Sequence, residues 1–206
     1  KTSVEIDLAG KKLTFETGEL AVQATSSILA RLGDTVVLVT VVGGGLTTLD
    51  YFPLSVEYVE RLYAGGKIKG SRWVKRDGRP SDNAVLSGRL IDRSIRPLFP
   101  KAFKNEVQVI VTVLSVDGEN EADIVALNAV SAALAISKIP WNGPIGAVRM
   151  GYSKDGEVKG VIANPSSQEL ETSELDIVFS QSNDKTVMVE AVALQISEEI
   201  LMESIE

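Results

Sequence analysis

The chain has 206 residues, of which 44% are hydrophobic and 24% charged, and a formal net charge of −7. This composition is typical of a globular protein with a hydrophobic core, and it disfavours disordered, collagen-like and coiled-coil structure. The sequence contains neither cysteine nor histidine. It therefore excludes disulfides, thiolate nucleophiles, zinc ribbons and imidazole-based catalysis or metal binding. Any chemistry must use carboxylates, lysine, arginine, hydroxyls or a partner.

No targeting or membrane segment is visible in the sequence. Residues 1–8 lack the apolar region of a signal peptide. The longest apolar runs, 36–42 and 129–136, are far shorter than a membrane span. We therefore expect a cytoplasmic protein without a membrane partner.

Alternating apolar and polar residues predict strands in the first sixty residues. The dipeptides Ala9-Gly10 and Gly33-Asp34 are typical of hairpin turns between such strands. The segment 35–42 is rich in β-branched residues and apolar on both faces, so we expect it to form a central, buried strand. The predicted strands are 4–8, 12–16, 27–32, 35–42 and 54–59.

Residues 61–80 predict a long loop, because they contain four glycines and many basic residues and show little periodicity. Long loops within compact domains are usually functional. A helix then begins at Ser81 or Asp82 and ends before Pro97. We expect its buried stripe to consist of Val85, Leu86, Leu90 and Ile91.

The second half of the chain predicts a buried helix and a further set of strands. The segment 121–137 is rich in alanine and nearly all apolar, which predicts a helix packed between layers. The turn Ser182-Asn183-Asp184 joins the last two strands, and Ser197 begins a final helix with glutamates in its first turn. The predicted strands are 106–116, 145–152, 159–163, 175–180 and 186–193.

The positive charges are concentrated in one part of the chain. Between Arg61 and Lys104 there are twelve basic and three acidic residues, a net charge of +9, which leaves −16 for the rest. More than half of the basic residues thus lie in about a fifth of the chain. This distribution favours a polyanion site over the alternative of a solvated basic loop.

Three arginines of the predicted helix form the first candidate site. Arg89, Arg93 and Arg96 have the spacing i, i+4, i+7 and therefore share one helical face. Guanidinium groups match phosphate oxygens well, and an anion would relieve their mutual repulsion. The alternative is that they pair with Asp92 or with distant acidic residues.

The loop around Trp73 is the second candidate. Trp73 is flanked by Arg72, Lys75, Arg76 and Arg79. An aromatic ring among cations is typical of single-stranded nucleic acid binding, in which the ring stacks on a base and the cations hold the backbone. The alternative is that Trp73 anchors the loop on the core.

Two other patterns do not predict a site. The acidic residues near the start of the buried helix are explained by the helix dipole better than by a metal. The glycines near Lys67 do not form a phosphate-binding P-loop, because Arg61 stands in place of the first glycine and Ile68 follows the lysine. The acidic residues are Asp117, Glu119, Glu121 and Asp123.

Seven segments resemble the first ribonuclease-PH-like domain of the polynucleotide phosphorylase family, and the resemblance covers essentially the whole chain. The long arginine-containing run and the Asn-Gly-Pro-Ile-Gly turn are its most specific parts. The segments are Glu16-Thr17-Gly18, Gln23-Ala24-Thr25, Gly33-Asp34-Thr35, Phe52-Pro53-Leu54, Gly78-Arg79-Pro80-Ser81, Arg89-Leu90-Ile91-Asp92-Arg93-Ser94-Ile95-Arg96-Pro97-Leu98-Phe99-Pro100 and Trp141-Asn142-Gly143-Pro144-Ile145-Gly146.

The resemblance implies an α+β fold of the ribonuclease-PH-like (ribosomal protein S5 domain 2-like) class, with mixed sheets backed by helices. Residues 1–206 would form the first such domain, truncated within its last helix. The helical linker, the second ribonuclease-PH-like domain and the KH-type and OB-fold RNA-binding modules of the family would be absent. The resemblance also implies a cytoplasmic homotrimer that binds other proteins of RNA-degradation assemblies.

The family's catalytic residues, which work with Mg²⁺, belong mainly to the second domain. They are two aspartates, a lysine and a serine-rich phosphate turn. By position Asp176 matches one aspartate, but Leu170 replaces the other, Val178 replaces the lysine, and the turn 143–146 lacks hydroxyls. The resemblance therefore implies no catalytic residue and no metal ligand in this chain, which we expect to be inactive alone.

RNA handling is the property that the resemblance carries to this chain. Trp73-Val74-Lys75-Arg76 matches the basic-aromatic loop that lines the channel of the trimer, with Val74 in place of a second aromatic and one extra residue. This implies RNA-binding roles for Trp73, Lys75, Arg76 and Arg79. The anion-site arginines of the family correspond to Arg89, Arg93 and Arg96.

The resulting hypothesis is that the chain is the N-terminal core domain of a 3′-to-5′ phosphorolytic exoribonuclease. The whole enzyme would use inorganic phosphate as co-substrate and release nucleoside diphosphates reversibly from single-stranded RNA, while this domain guides the RNA and builds the ring. The alternative is a catalytically silent, exosome-like ring subunit that binds RNA. Ribonuclease PH itself fits less well, because Leu170 and Val178 disrupt its catalytic set.

Overall fold

The computed structural model of the protein describes residues 1–68, 78–154 and 160–205. Its first sheet has six strands, all from the first 115 residues. Neighbouring strands are antiparallel, except for one parallel pair at an edge of the sheet. In chain order the strands are β1 (Thr2–Leu8), β2 (Lys11–Thr17), β3 (Ser26–Leu32), β4 (Thr35–Leu46), β5 (Leu54–Glu60) and β6 (Asn105–Ser115). Their spatial order is β1-β2-β3-β4-β6-β5.

Both hairpins predicted from the sequence are confirmed. Ala9 and Gly10 have φ angles of 52° and 78°, as a two-residue turn between β1 and β2 requires. Gly33 has a φ of 60°, and the pairing of β3 with β4 starts at the neighbouring pair Leu32 and Thr35. Short turns thus set the register of these strands.

Strand β4 occupies the centre of the first sheet, as predicted. It pairs with β3 on one side and β6 on the other. Val37, Val39 and Val41 are fully buried. The β-branched run therefore forms the middle of the hydrophobic core.

Helix α1 (Asp82–Ile95) begins at Ser81, whose side-chain oxygen accepts a hydrogen bond from the amide of Ala84. The predicted start is confirmed, but the predicted stripe is partly wrong: Val85 and Leu86 are 49% and 58% exposed. The helix packs against the edge strand β5, and the small residues on its buried face allow this close approach. That face consists of Ala84, Gly88, Ile91 and Ile95, at the spacing i, i+4, i+7, i+11.

Helix α2 (Ala122–Ile136) is the buried helix that the sequence predicts. Nine of its fifteen residues are buried, and it packs on β3 and β4 on one side and on β7 (Gly146–Ser153) on the other. It therefore joins the first sheet to the second.

The second sheet is antiparallel and has the spatial order β10-β9-β7-β8. Two short helices accompany it: α3 (Ser167–Glu171), which the sequence interpretation missed, and α4 (Glu198–Glu203), which begins at Ser197 as predicted. The capping box of Ser166 and Glu169 holds α3, which is too short to show helical periodicity. The remaining strands are β8 (Gly160–Ala163), β9 (Leu175–Ser182) and β10 (Lys185–Ala193).

The expected α+β fold with mixed sheets backed by helices is confirmed. Of the predicted loop 61–80, residues Leu62–Gly65 form a 3-10 turn, and residues 69–77 lie outside the described residues. Within the described residues, no helix is both long and apolar enough to cross a membrane. The cytoplasmic location stays a prediction.

Candidate functional site

A cavity of about 570 Å³ lies where β5 ends, between the 3-10 turn Leu62–Gly65 and the start of α1. Three cations line it: Arg61, Lys67 and Arg79. We call it the basic cavity. Its floor is apolar and includes Ala64 and Val113.

Of the predicted RNA-binding residues, Arg79 lies at the mouth of the basic cavity. It is exposed and precedes Pro80 and the helix-capping Ser81. The other three, Trp73, Lys75 and Arg76, lie outside the described residues. Lys67, which the sequence interpretation considered only as a failed P-loop lysine, joins Arg79 at the cavity.

Arg96 is held inside the fold. Its guanidinium donates hydrogen bonds to the Asp92 carboxylate at 2.7 Å and to the carbonyl oxygens of Phe52 and Leu54 at 3.2 and 3.1 Å. It also lies 5.8 Å from the centre of the Phe52 ring. The hydrogen bond with Asp92 raises the pKa of Arg96 above its ordinary value. The structure thus shows for Arg96 the pairing that the sequence left as the alternative to anion binding.

Arg93 and Arg89 line a second groove beside β5 and α1, whose lining does not include Arg96. Arg93 contacts the Glu190 carboxylate at 2.7 Å, and both side chains are half exposed. In the described part of the chain Arg89 makes no ion pair, and its side chain is exposed. The three arginines do not converge on one site, and their role in anion binding stays a prediction.

A second cavity, of about 470 Å³, lies next to the basic one and shares four lining residues with it, Tyr58, Glu60, Val116 and Ala122. We call it the acidic cavity. Its single cationic lining residue among those described is Arg149. Its carboxylate lining residues are Glu60, Glu121, Asp123, Asp176 and Glu190.

Arg149 joins three of these carboxylates. Its nitrogens lie 3.4 Å from Glu121, 3.4 Å from Asp123 and 3.0 Å from Asp176. The last contact is ionic rather than a hydrogen bond, because neither atom has a well-aligned partner. Burial raises the pKa of Asp123, against the opposing charge of Arg149. The helix-dipole interpretation of Glu121 and Asp123 is therefore incomplete, since both also bind Arg149.

Asp117 has a structural role in the turn between β3 and β4. It accepts hydrogen bonds from the amides of Asp34, Glu119 and Asn120 and from the hydroxyl of Thr35. Burial raises the pKa of Asp117, but these bonds and one from the Asn120 side chain outweigh it and hold the pKa well below its ordinary value. The described residues contain no group of three or more acidic residues arranged for a metal.

The positions that match the family's catalytic residues have different surroundings in the structure, and the absence of a catalytic role stays a prediction. Asp176 lines the acidic cavity but faces Arg149. Val178 is 4% exposed and packs in a small core cluster with Leu90. Leu170 lies on α3 and does not line the cavity. With one carboxylate, bound to an arginine, this donor set does not fit Mg²⁺.

The turn 143–146 is shaped by close packing. A Cβ atom at Gly143 would lie 2.2 Å from the ring of Trp141, so only glycine fits there. The Trp141 indole nitrogen donates a hydrogen bond to the carbonyl of Ile95 at 3.1 Å, and the Ile145 amide donates one to Ser131 at 2.9 Å. The turn thus ties α1 and α2 together in this chain.

Comparison with known proteins gives two consecutive family matches. Residues 9–140 match the 3′ exoribonuclease family, domain 1, and residues 143–206 match the 3′ exoribonuclease family, domain 2. The boundary between the matches falls between α2 and β7, where the chain passes from the first sheet to the second. The two family units therefore correspond to the two sheets.

The chain is also similar to curated proteins named polyribonucleotide nucleotidyltransferase. It is 51% identical over 202 residues to those of Thermomicrobium roseum and Halothermothrix orenii, covering 97% and 98% of this chain. It is 50% identical over 203 residues to that of Pelagibacter ubique, covering 98%. The chain spans only 25%, 28% and 29% of the length of these relatives.

A solved structure shares the fold. The crystal structure of rice (Oryza sativa) Rrp46 superposes with a TM-score of 0.73 at 19% identity, covering 94% of this chain and 85% of that one. This likeness confirms the ribonuclease-PH-like fold expected from the sequence. The resemblance to the polynucleotide phosphorylase family is confirmed by the relatives at about half identity. The chain belongs to the 3′ exoribonuclease family.

Proposed function

We propose that this chain is the first core domain of a 3′-to-5′ phosphorolytic exoribonuclease that releases nucleoside diphosphates from single-stranded RNA. Its own role is to guide RNA and to build a homotrimeric ring. Catalysis, with Mg²⁺ and inorganic phosphate, belongs to a second ribonuclease-PH-like domain of the complete protein. The family match and the 50–51% identity to polyribonucleotide nucleotidyltransferases support the activity.

The observation that carries the division of roles is the contrast between the two neighbouring cavities. In the described lining of the acidic cavity, five carboxylates face one arginine. A phosphodiester or an attacking phosphate would be repelled there. Among the described residues around the basic cavity, three cations face one carboxylate, Glu60, so an RNA strand is attracted to that side. The chain therefore favours holding RNA over cleaving it.

The activity is tested by the phosphate dependence of RNA loss. The complete protein is incubated with Mg²⁺ and a single-stranded RNA labelled at its 3′ end, with and without inorganic phosphate. We expect labelled nucleoside diphosphate only when phosphate is present. Nucleoside monophosphate formed without phosphate would contradict phosphorolysis, and RNA binding with no product would favour the exosome-like scaffold.

The guiding role is tested by the salt dependence of RNA binding. Replacing Lys75, Arg76 and Arg79 by alanine removes three cations near the predicted RNA path. We expect weaker binding of a single-stranded RNA and a salt slope, in log–log form, that is shallower by about 0.7 for each phosphate that is no longer neutralised.

The control for this charge change uses basic residues that lie outside the segment 61–104. Lys12 and Lys185 belong to β2 and β10. Replacing both by alanine should leave the salt slope unchanged. An unaltered slope in the triple variant would refute the guiding role of the segment 61–104.

A further inference from the structure

We propose that the basic cavity binds one phosphorylated nucleotide, with the phosphate against Lys67 and Arg79 and the base or ribose on the apolar floor. The nucleotide could belong to an RNA strand, and for this source the inference rests on the proposed function. A free nucleoside diphosphate has the same chemistry and is the second source.

The cations at the mouth are available to a ligand. Lys67 and Arg79 are exposed, and within the described ranges neither side chain has an ion-pair or hydrogen-bond partner. Glu60, the only acidic lining residue among those that the structure describes, accepts a hydrogen bond from the Ser81 hydroxyl at 2.8 Å. Two cations that have no partner among the described residues, at the edge of a cavity, favour a phosphate group at its mouth.

The floor is suited to the organic part of the ligand. Ala64, Ala84 and Val113 are buried beneath the cavity, and Val116, 42% exposed, forms part of its wall. The volume of about 570 Å³ falls within the range of about 300–1,000 Å³ of small-molecule sites. A site for inorganic phosphate alone would need no apolar floor, so the lining favours a base or ribose.

Backbone hydrogen bonds fix the wall that carries Lys67. The amide of Val116 donates to the carbonyl of Ala64 at 3.1 Å, and the amide of Lys67 donates to the carbonyl of Leu62 at 3.0 Å. A preformed wall loses little entropy when a ligand binds. The neighbouring acidic cavity favours one orientation of the ligand. Its carboxylates repel the phosphate, which therefore lies at the mouth of the basic cavity.

The test is photolabelling of the complete protein with 8-azido-ADP, followed by mapping of the labelled peptides. We expect label on peptides that contain the cavity lining, and competition by ADP or by a single-stranded 20-mer RNA. Competition by ADP identifies free nucleotide as a source, and competition by RNA identifies a strand. Inorganic phosphate at the same concentration should compete at least about tenfold less well.

Three variants separate the contributions to labelling of the cavity. Lys67→Ala with Arg79→Ala removes the phosphate contacts, and Val116→Trp fills the cavity while both cations remain. We expect each to lower labelling at least about tenfold. Lys12→Ala with Lys185→Ala removes the same two charges at exposed sites outside the cavity lining and should leave labelling unchanged.

Label at the product site of the catalytic domain is expected as well and does not bear on the cavity. Absence of label from the cavity peptides, equal competition by phosphate and ADP for those peptides, or full labelling of both cavity variants would overturn the inference. Failure of the proposed function is a separate result. A complete protein without phosphate-dependent diphosphate release would refute that function while the mapped label remained interpretable. Active enzyme with no label in the cavity would refute this inference alone.

Discussion

Arg149 shows how one side chain determines the character of a cavity. Its guanidinium lies among Glu121, Asp123 and Asp176 and connects β7, the start of α2 and β9. Asp123 is nearly buried, and burial raises its pKa although Arg149 opposes this. Arg149 supplies the positive charge that allows these carboxylates to lie together.

Replacing Arg149 by methionine should lower the free energy of unfolding by about 3–5 kcal/mol, because it leaves the Asp123 carboxylate buried without its partner. Urea unfolding followed by circular dichroism measures the change. Arg31→Met, which removes an exposed strand arginine 3.9 Å from Asp34, should cost less than about 1 kcal/mol. Equal effects of the two substitutions would contradict this account of Arg149.

Asp117 makes a second residue-scale prediction, through pH. The hydrogen bonds it accepts outweigh the effect of burial and hold its pKa well below the ordinary value. Because the folded pKa is the lower one, its stabilisation is fully present above the unfolded pKa of about 3.9 and is lost as the pH falls below it. We expect Asp117→Ala to cost about 2 kcal/mol at neutral pH, and less at about pH 3.

Unfolding free energies of the wild type and Asp117→Ala at the two pH values test this sign. The pKa of Asp123 is raised, so its effect on stability has the opposite pH dependence. Because Asp123 is present in both proteins, its effect cancels in the difference between their unfolding free energies. The neighbouring Glu119→Ala serves as control, since the Glu119 side chain is exposed. A difference that grows on acidification would show that the assigned sign is wrong.

At the scale of elements, the turn between β3 and β4 depends on what surrounds it. Gly33 has a φ of 60°, and a Cβ there would lie 2.7 Å from Asp117 Oδ2 and 2.8 Å from Asn120 Nδ2. Gly10, in the turn between β1 and β2, has a φ of 78° and open space around it. The two turns therefore share backbone strain but differ in crowding.

We expect Gly10→Ala to cost about 1–2 kcal/mol from left-handed backbone strain alone. Gly33→Ala should cost clearly more, because the methyl group also displaces the Asp117 carboxylate. Thermal unfolding of the two variants side by side gives the comparison. Equal losses of stability in the two variants would mean that the hydrogen-bond network around Asp117 accommodates a methyl group without cost.

The sequence predicted those elements whose signal is local. The hairpins follow from Ala9-Gly10 and Gly33-Asp34, and β4 follows from its β-branched run. The start of α1 follows from Ser81, but its buried face does not, because contact with the edge strand β5 selected Ala84 and Gly88 over Val85 and Leu86. Tertiary packing overrode hydrophobicity in that helix.

The candidate site was predictable to a smaller extent. The sequence offered Asp92 as an alternative partner of the three arginines, and the structure pairs it with Arg96, four residues further along α1 and the turn that follows. The contact of Arg93 with Glu190 joins residues 97 positions apart, and the cluster around Arg149 requires the register of the second sheet. Such long-range pairs leave no periodic signal in the sequence.

At the scale of the whole molecule, the separation of charge supports the proposed function. The basic segment 61–104 contributes Arg61, Lys67 and Arg79 to one cavity, and the acidic remainder dominates the cavity beside it. The family match and the degenerate set of Asp176, Leu170 and Val178 fit a domain that handles RNA for an active site elsewhere. The central claim is therefore where catalysis occurs.

The most direct test compares phosphorolysis by the 206-residue chain with that by the complete protein, using a 3′-labelled single-stranded RNA, inorganic phosphate and Mg²⁺. The account predicts labelled nucleoside diphosphate from the complete protein and none from the 206-residue chain. Diphosphate released by the 206-residue chain would contradict the account, since it would place a working catalytic site in this domain.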